Sequence, residues 1–468
     1  SNEIGSSEVV CEQYKLDTSA PLIASTTVYF DKGDNRLYDL LDITSASGYK
    51  IDCNKQKVSE LELGSNTVNC TITSNNGLST TQNINFITNN LKVASWNDTT
   101  FLGSSILKTD VEAIKILDYI DIPNNTKEVV DVSEQQNKSI MAWYIDEDNN
   151  GLFELYIGQN GGVIANSNSA HLFRSFGNIT SINVLKLGTS QVTNMSHMFS
   201  YMTNLVELNL SNFNTSKVTD MSDMFNSLSN IIELDLSNFN TSNVLLMNGM
   251  FYRNGAETLN LKSFDTSQVT NMVAMFAEMR NLTKLDVSNF NTSSVTGMTR
   301  MFEYSKLVEL DLSSFDTSNV TNMNRMFAKM RDLTKLDVSN FNTSKVTDMT
   351  QMFAYVFSLT ELDVSSFDTS NVTSMSQMFY EMSRITELNL SNFDTAKVTD
   401  MNAIFGSMDV LIKLDISNFN IGNVTKYQNM FLSLRNDTVI KVKDENVKLW
   451  IEKRVSEAGK TANVVIAN

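Results

Sequence analysis

Clustered basic residues are missing from this sequence. Its 468 residues include 36 lysines and arginines against 53 aspartates and glutamates, so the formal net charge is −17. The lysines and arginines are spread along the chain and form no basic run. A chain of this kind repels a phosphate backbone. We therefore expect no nucleic-acid partner.

Long apolar runs are missing too. No stretch approaches the roughly 20 apolar residues that a membrane-spanning helix needs. The first residues also lack a basic stretch followed by an apolar one. We expect no membrane span within this sequence, and we expect a signal peptide or anchor to lie outside it.

Cysteine is confined to the first 70 residues, at Cys11, Cys53 and Cys70. An odd number of cysteines cannot all pair within one chain. Cys53 and Cys70 flank a hairpin-like stretch, so they either form a disulfide or remain two thiols. We expect Cys11 to be free.

Catalytic and metal-binding constellations are scarce. His171 and His197 are the only histidines, and no cysteine accompanies them, which argues against a zinc site or a histidine-based triad. We interpret His197 as an exposed helix residue. No nucleophile beside a base and no phosphate-binding loop is present, so we expect no enzyme activity.

The segment DEDNNG, residues 146–151, has the first residues of a calcium-binding loop. Such a loop requires a glutamate at its twelfth position, where this chain has Ile157. The flanking segments MAWYI and LFELYI have the composition of strands. We predict a hairpin turn here.

One phrase, SNFNTSKVTDMSDMF from Ser211, recurs over half of the chain. Its phenylalanine returns every 25 or 26 residues, and a Met-Phe pair keeps the same spacing, with Ile404-Phe405 replacing it once. A fixed period in this range is typical of a solenoid, in which each unit packs on its neighbours. We predict ten coils, or nine with a capping fragment.

Each repeat begins with a pattern that predicts a short strand. Leu208 and Leu210 alternate with polar residues, which gives the strand one buried face. The following Asn214-Thr215-Ser216 suits a turn in which a short side chain bonds to the local backbone.

The second half of each repeat predicts a short helix. Met221, Met224, Phe225 and Leu228 are spaced as one helix face, and Thr219 is placed to cap its start. Of 24 methionines, 23 lie between Met195 and Met430. We expect the methionines to fill the core rather than to bind metal, and the phenylalanine column to form a stacked spine.

The Leu-x-x-Leu-x-Leu strand at Leu205, Leu208 and Leu210, together with the recurring Met-Phe phrase, resembles the 26-residue repeat of bacterial BspA-like surface proteins. The resemblance implies an α/β leucine-rich-repeat solenoid, with a parallel β-sheet and short helices on its outer side. It also implies a surface protein that attaches to host matrix or to other cells, and it implies no enzyme activity.

We predict four domains along the chain. Residues 1–92 contain GSNTVNCTITSNNG, which resembles the HYR-type immunoglobulin-like modules of bacteria and implies an all-β sandwich. Residues 93–194 are expected to form an N-terminal cap, because the stretch from about Phe101 to Phe199 resembles the segment that precedes the repeats in BspA-like proteins. Residues 195–431 form the solenoid, and residues 432–468 close it with a strand, a helix and a strand.

Outward strand positions form the concave face of such a solenoid. One column of this face includes Glu309, Lys335 and Glu361, and the next contains four successive aspartates. Strands about 4.8 Å apart bring these carboxylates close, at a cost of about 1 kcal/mol per contact in water. Neighbouring lysines, backbone amides and solvent offset this repulsion, or else a bound cation or a basic protein does. Calcium suits such oxygen ligands, although the spacing fixes no coordination shell.

Aromatic residues follow the Met-Phe pairs, among them Tyr304, Tyr355 and Phe357. They either pack over their own loops or form one patch at the edge of the solenoid, where tyrosine would favour a protein contact.

Together these features predict an extracellular adhesin, secreted or held on the bacterial surface, that binds a host matrix or cell-surface protein. No cofactor is expected, and calcium is the one candidate ion. The alternative is a structural spacer or a self-associating envelope protein. The candidate partner-binding residues are Asp286, Glu309, Asp311, Lys335, Asp337, Glu361, Asp363, Tyr304, Tyr355 and Phe357.

Overall fold

A computed structural model describes residues 20–23, 27–29, 41, 43–44, 48–56, 64–88 and 90–467. The chain divides into two compact units, Ser1–Asn89 and Asn90–Asn468. Within the described residues, β-strands and turns predominate and one α-helix is present.

The first unit contains two small sheets. Its strands are β1 (Leu22–Ile23), β2 (Thr27–Tyr29), β3 (Ile43–Thr44), β4 (Tyr49–Cys53), β5 (Gly64–Ser74) and β6 (Ser79–Thr88). β1 pairs with β3, and the second sheet has the order β2-β6-β5-β4. Cys53 lies opposite Cys70 in the antiparallel β4–β5 pair, and the two form a disulfide. Cys11 lies outside the described residues.

The second unit begins with a mixed sheet. A 3₁₀ turn at Lys108–Asp110 precedes its strands, which are β7 (Val111–Leu117), β8 (Glu128–Asp131), β9 (Met141–Ile145), β10 (Phe153–Gly158), β11 (Val163–Ile164), β12 (Ser181–Asn183), β13 (Leu187–Gly188) and β14 (Glu207–Leu208). The six-stranded order is β14-β12-β7-β10-β9-β8, and β11 pairs with β13. The parallel β12–β14 pair joins this sheet to the first repeat strand.

The DEDNNG segment is a hairpin turn, as predicted. It connects the antiparallel strands β9 and β10. The two carboxylate oxygens of Asp146 accept hydrogen bonds from the backbone amides of Asn150 and Gly151, both at 3.1 Å. The Asp146 carboxylate thus stabilises the turn by accepting backbone amides of the turn itself.

The repeat strands are short and parallel. They comprise β15 (Glu233–Leu234), β16 (Thr258–Leu259), β17 (Glu309–Leu310), β18 (Lys335–Leu336), β19 (Glu387–Asn389) and β20 (Lys413–Ile416). Each observed pair is in register one repeat apart, as with Glu309 opposite Lys335. A second series of parallel bridges joins the coils from Asn168 to Lys426. The repeats therefore stack as a β-rich solenoid.

The short outer helices predicted from the sequence are wrong. The amides of Met221, Asp223 and Phe225 donate to carbonyls of the next coil at 2.8 to 3.0 Å, rather than to their own turn of helix. Asp223 and Ser227 have φ angles of 53° and 59°, which lie outside the α-helical region. Each segment is thus a series of turns, and its donors are satisfied by the neighbouring coil.

The predicted helix cap is also wrong. Thr219 donates its hydroxyl to the carbonyl of Thr193, one coil earlier, at 3.1 Å. The Asn214 turn is as predicted, because its side-chain oxygen accepts the amide of Ser216 at 3.1 Å.

Methionine and phenylalanine fill the core. All 23 methionines between Met195 and Met430 are at most 2% exposed. The phenylalanines of successive Met-Phe pairs stack with ring centroids 5.7 to 6.1 Å apart, which is the predicted spine. A second column, which includes Phe213 and Phe239, packs against the first.

The far end contains β21 (Thr438–Val442), α1 (Glu445–Glu457) and β22 (Ala462–Ile466), which matches the predicted order of elements. Asp444 caps α1 by accepting the amide of Val447 at 3.0 Å. The helix buries Ile451 and Val455. In the described part of the chain, no helix has both the length and the apolarity to cross a bilayer.

Candidate functional site

The strand face, meaning the outward side chains of the repeat strands, carries alternating charges in register. Glu309 lies beside Lys335, and Glu387 beside Lys413. The Lys413 ammonium lies 2.7 Å from the Glu387 carboxylate. Because both side chains are exposed, this pair contributes little to stability.

The aspartate column of the strand face forms a series of identical turns. The backbone amide two residues later donates to each candidate aspartate, at 2.9 to 3.1 Å. Asn209, Asn260 and Asn389 accept the corresponding amide in their own coils. The turn therefore requires a side-chain oxygen and does not require a charge. The four aspartates are Asp286, Asp311, Asp337 and Asp363.

These local bonds outweigh the repulsion between the stacked carboxylates. The hydrogen bonds from Ser313 lower the pKa of Asp311 below its ordinary value, although the charges of Asp286 and Asp337 act to raise it. The bonds from Ser339 likewise lower the pKa of Asp337. The charge of Lys335 also lowers the pKa of Asp337, so the turn hydrogen bonds and a neighbouring lysine both act against the repulsion.

The aspartates do not converge on one point. Among the residues that the structure describes, no group of three or more histidine, cysteine, aspartate or glutamate side chains is arranged to hold a metal ion. Each carboxylate belongs to its own coil and its own turn.

Two adjoining depressions lie on the strand face. The larger, of ≈ 760 Å³, is lined by Lys335, Asp337, Glu361 and Asp363 and extends to Lys413. The smaller, of ≈ 400 Å³, shares Lys335 and Asp337 with it. Glu309 and Asp311 also line the smaller one. Six of the candidate residues are thus brought together, whereas Asp286 lines neither depression.

The candidate aromatic residues lie in a separate row, on the loops that follow the Met-Phe pairs. Tyr355 contacts Phe357 and Tyr380 edge-on, with centroids 6.3 and 5.2 Å apart. Tyr304 lies between two guanidinium groups, 4.6 Å from that of Arg280 and 5.5 Å from that of Arg331. The rings therefore contact side chains of neighbouring coils as well as their own loops.

This row is part of a surface that we call the basic edge. Arg331 also lies 5.5 Å from the ring of Phe357, so rings and guanidinium groups alternate across several coils. The basic edge comprises the cations Arg253, Arg280, Arg300, Lys306, Arg325, Lys329 and Arg331, the carboxylates Glu278 and Glu303, and the rings Tyr252, Tyr304, Tyr355 and Phe357.

Two partly or fully buried carboxylates organise the basic edge. Glu303 is 2% exposed and is paired with Arg300, with Arg325 at 3.9 Å and with Lys329 at 3.5 Å. Glu278 accepts from Arg253 at 3.0 Å and from Tyr252 at 2.8 Å. Burial raises the pKa of Glu278, but these bonds more than offset it, and the pKa lies below its ordinary value.

The arginines of this surface were missed in the sequence because they are far apart along the chain. Arg280 and Arg331 occupy the same position of their repeats, four residues after the Met-Phe phenylalanine. The solenoid brings such columns together even though no basic run exists. Aligning the repeats by period and comparing columns would have revealed them.

The prediction that His197 is an exposed helix residue is wrong. Its ring stacks on that of His171 with centroids 5.0 Å apart, and the ring of Trp96 meets both edge-on. Its Nε2 lies 3.7 Å from the carboxylate of Asp223. The reason is that the segment turns back at each coil, which places residues 26 apart side by side.

The repeats define the family. The profile described as "Mycoplasma protein of unknown function, DUF285" matches three overlapping segments, residues 168–285, 254–361 and 355–448. Together they cover more than half of the chain. The chain belongs to the DUF285 family. No curated protein and no solved structure matches this chain.

All ten candidate residues lie within the DUF285 segments, and so does the whole basic edge. DUF285 repeats are of the BspA-like type, which agrees with the resemblance seen in the phrase itself. The first unit and the strands β7 to β10 of the mixed sheet lie outside the matched segments, whereas β12 and β14 of that sheet lie within the first of them.

Proposed function

We propose that this DUF285 protein is a non-enzymatic adhesin, secreted or held on the bacterial surface, whose strand face binds an extracellular protein. In this proposal the coils are a leucine-rich-repeat type of solenoid, and the first unit is an immunoglobulin-like module that carries it. The partner is a protein of the host matrix or of a cell surface.

The observation that carries this proposal is the group of depressions lined by Lys335, Asp337, Glu361 and Asp363. Sites for small molecules are mostly apolar, whereas this lining combines exposed charged side chains with the buried Leu336, Leu362 and Leu388. The aspartates are already oriented by their serine amides, so binding a partner costs less side-chain entropy. Nine coils, with outward strand positions from Glu207 to Lys413 and a spacing of about 4.8 Å, also give a face long enough for a standard protein interface.

The structure offers a substitution that removes charge and keeps the turn. Because asparagine fills the same column in three coils, Asp311→Asn/Asp337→Asn/Asp363→Asn retains the turn hydrogen bonds. The matched control is Asp316→Asn/Asp368→Asn/Asp394→Asn, which removes three charges at another turn where other coils also have asparagine.

The test immobilises the full chain and measures binding to a panel of matrix and cell-surface proteins, with and without calcium. We expect saturable binding that the strand-face variant weakens by about tenfold or more and that the control variant leaves unchanged. Binding that survives in the strand-face variant would contradict the proposal. If the chain binds nothing on the panel, or only itself, the spacer or self-associating envelope protein becomes the better account.

A further inference from the structure

The basic edge is a second surface, with a chemistry opposite to that of the chain as a whole. Its seven cations face two carboxylates, in a protein whose formal net charge is −17. Asp332 borders it, and Glu381 lies near Tyr355, so the positive excess is confined to residues 253–331. A local field of this sign attracts acidic groups.

Six of the seven cations of the basic edge contact a carboxylate or a ring of the protein itself, and Lys306 is exposed. Arg253 and Arg280 both pair with Glu278, and the side chain of Arg280 is 61% exposed. Arg331 is exposed and lies between the rings of Tyr304 and Phe357. A guanidinium fixed in this way presents its planar donors with little loss of entropy.

The mixture of groups favours a protein partner. Arginine and tyrosine are the residue types that dominate the energetics of protein interfaces. A carboxylate accepts two parallel bonds from one guanidinium, and the half-buried rings of Tyr304 and Phe357 offer apolar contact between the cations.

We propose that the basic edge binds an acidic segment of a partner protein, with Arg331 and Lys306 pairing to its carboxylates and Tyr304 and Phe357 packing against it. This surface is distinct from the strand face, because none of these four residues lines the depressions there. The two surfaces would let one chain hold two partners at once.

The test uses the full chain and fluorescein-labelled decaglutamate, with binding read as fluorescence anisotropy. The variant is Lys306→Gln/Arg331→Gln, which leaves Glu278 and Glu303 with their described partners, so the fold is retained. The matched control, Lys217→Gln/Lys345→Gln, removes two exposed cations that bond to Gln191 and Asn319 outside the basic edge. Melting temperatures confirm that all three proteins are folded.

We expect saturable binding that salt weakens, that the variant weakens about fivefold or more, and that the control leaves within about twofold. Undetectable binding, or binding that the variant leaves unchanged, would overturn the proposal. So would tight binding of heparin without binding of decaglutamate, which would indicate an acidic polysaccharide. Sedimentation showing self-association that the variant abolishes would instead assign the surface to a second copy of this chain. None of these results depends on the strand face.

Discussion

Two residues in each coil adopt the left-handed backbone conformation, one directly before the Met-Phe pair and one two positions after its phenylalanine. The second position contains Tyr201, Arg253, Glu278, Tyr304 and Tyr355. A residue other than glycine in this region is disfavoured by about 1–2 kcal/mol. Several side chains of the basic edge are therefore presented from a backbone that the stacked coils hold in place.

The first left-handed position offers a matched pair of substitutions. At Gly249, φ is +61° and an added Cβ would clash with the carboxylate of Asp223. Gly249→Ala should destabilise the solenoid by about 1–2 kcal/mol. At Ala274, with φ of 53°, the strain is already present. Ala274→Gly should stabilise it by about 0.5 kcal/mol, since glycine's entropy cost offsets part of the relief. Urea denaturation followed by circular dichroism gives both changes in the free energy of unfolding. If the two substitutions changed it in the same direction, left-handed strain at this position would be refuted.

The histidine pair makes stability depend on pH. Burial, with the nearby charges of His197, Arg174 and Lys108, lowers the pKa of His171 to about 4. Asp98 acts in the opposite direction. Between pH 6.5 and 4 the unfolded chain binds a proton that the folded chain does not, so stability falls as the pH falls through this window.

His171→Asn should make this fall shallower, because asparagine does not titrate and tolerates the φ of 64° at this position. The difference between the two slopes should correspond to at most about one proton. Melting temperatures of the original protein and of the His171→Asn variant, taken from pH 7 to pH 4, measure this difference in slope. Parallel curves would mean that His171 does not titrate differently in the folded and unfolded states.

At the scale of the element, buried threonines join each coil to the next. The hydroxyl of Thr317 donates to the carbonyl of Asn342 at 3.0 Å and accepts the amide of the same residue at 2.8 Å. Thr317 is 1% exposed, so its hydroxyl is shielded from solvent. The same position is threonine in the neighbouring coils, at Thr292 and Thr343.

Thr317→Val should therefore be costly although the two side chains have nearly the same shape. It leaves the carbonyl and the amide of Asn342 without their partner at a part-buried site, and we expect a loss of about 1–3 kcal/mol in the free energy of unfolding. Thr334→Val is the control, because the hydroxyl of Thr334 bonds to Val308 at an exposed site and should cost less than about 0.5 kcal/mol. Similar losses for both would show that the threonine ladder adds no stability of its own.

The coil period, the strand positions and the buried methionines could be predicted because each follows from a repeating pattern of apolar residues. The helices could not, since the spacing of Met221, Met224 and Phe225 suits a helix face equally well. Only the backbone shows that their amides bond to the next coil. The disulfide between Cys53 and Cys70 also needed the strand register, which sequence spacing leaves open.

At the scale of the whole molecule, stacking converts distant sequence positions into neighbours. Each coil contacts chiefly the coils beside it. Residues of one type that recur once per repeat, far apart in sequence, therefore lie side by side on one surface. Lys335, Asp337, Glu361 and Asp363 meet on the strand face in this way, and arginines tens of residues apart meet at the basic edge. The strand-face residues were predictable from column alignment. The domain boundaries, the extracellular location and the immunoglobulin-like module stay predictions.

The strand face is the central claim, and hydrogen exchange of the full chain tests it most directly. Exchange would be compared with and without saturating amounts of the protein that the binding panel identifies. We predict slower exchange at residues 309–313, 335–339 and 361–365, where the turn amides lie beside the candidate aspartates. Slower exchange confined to the first unit, or to the loops after the Met-Phe pairs, would contradict the account.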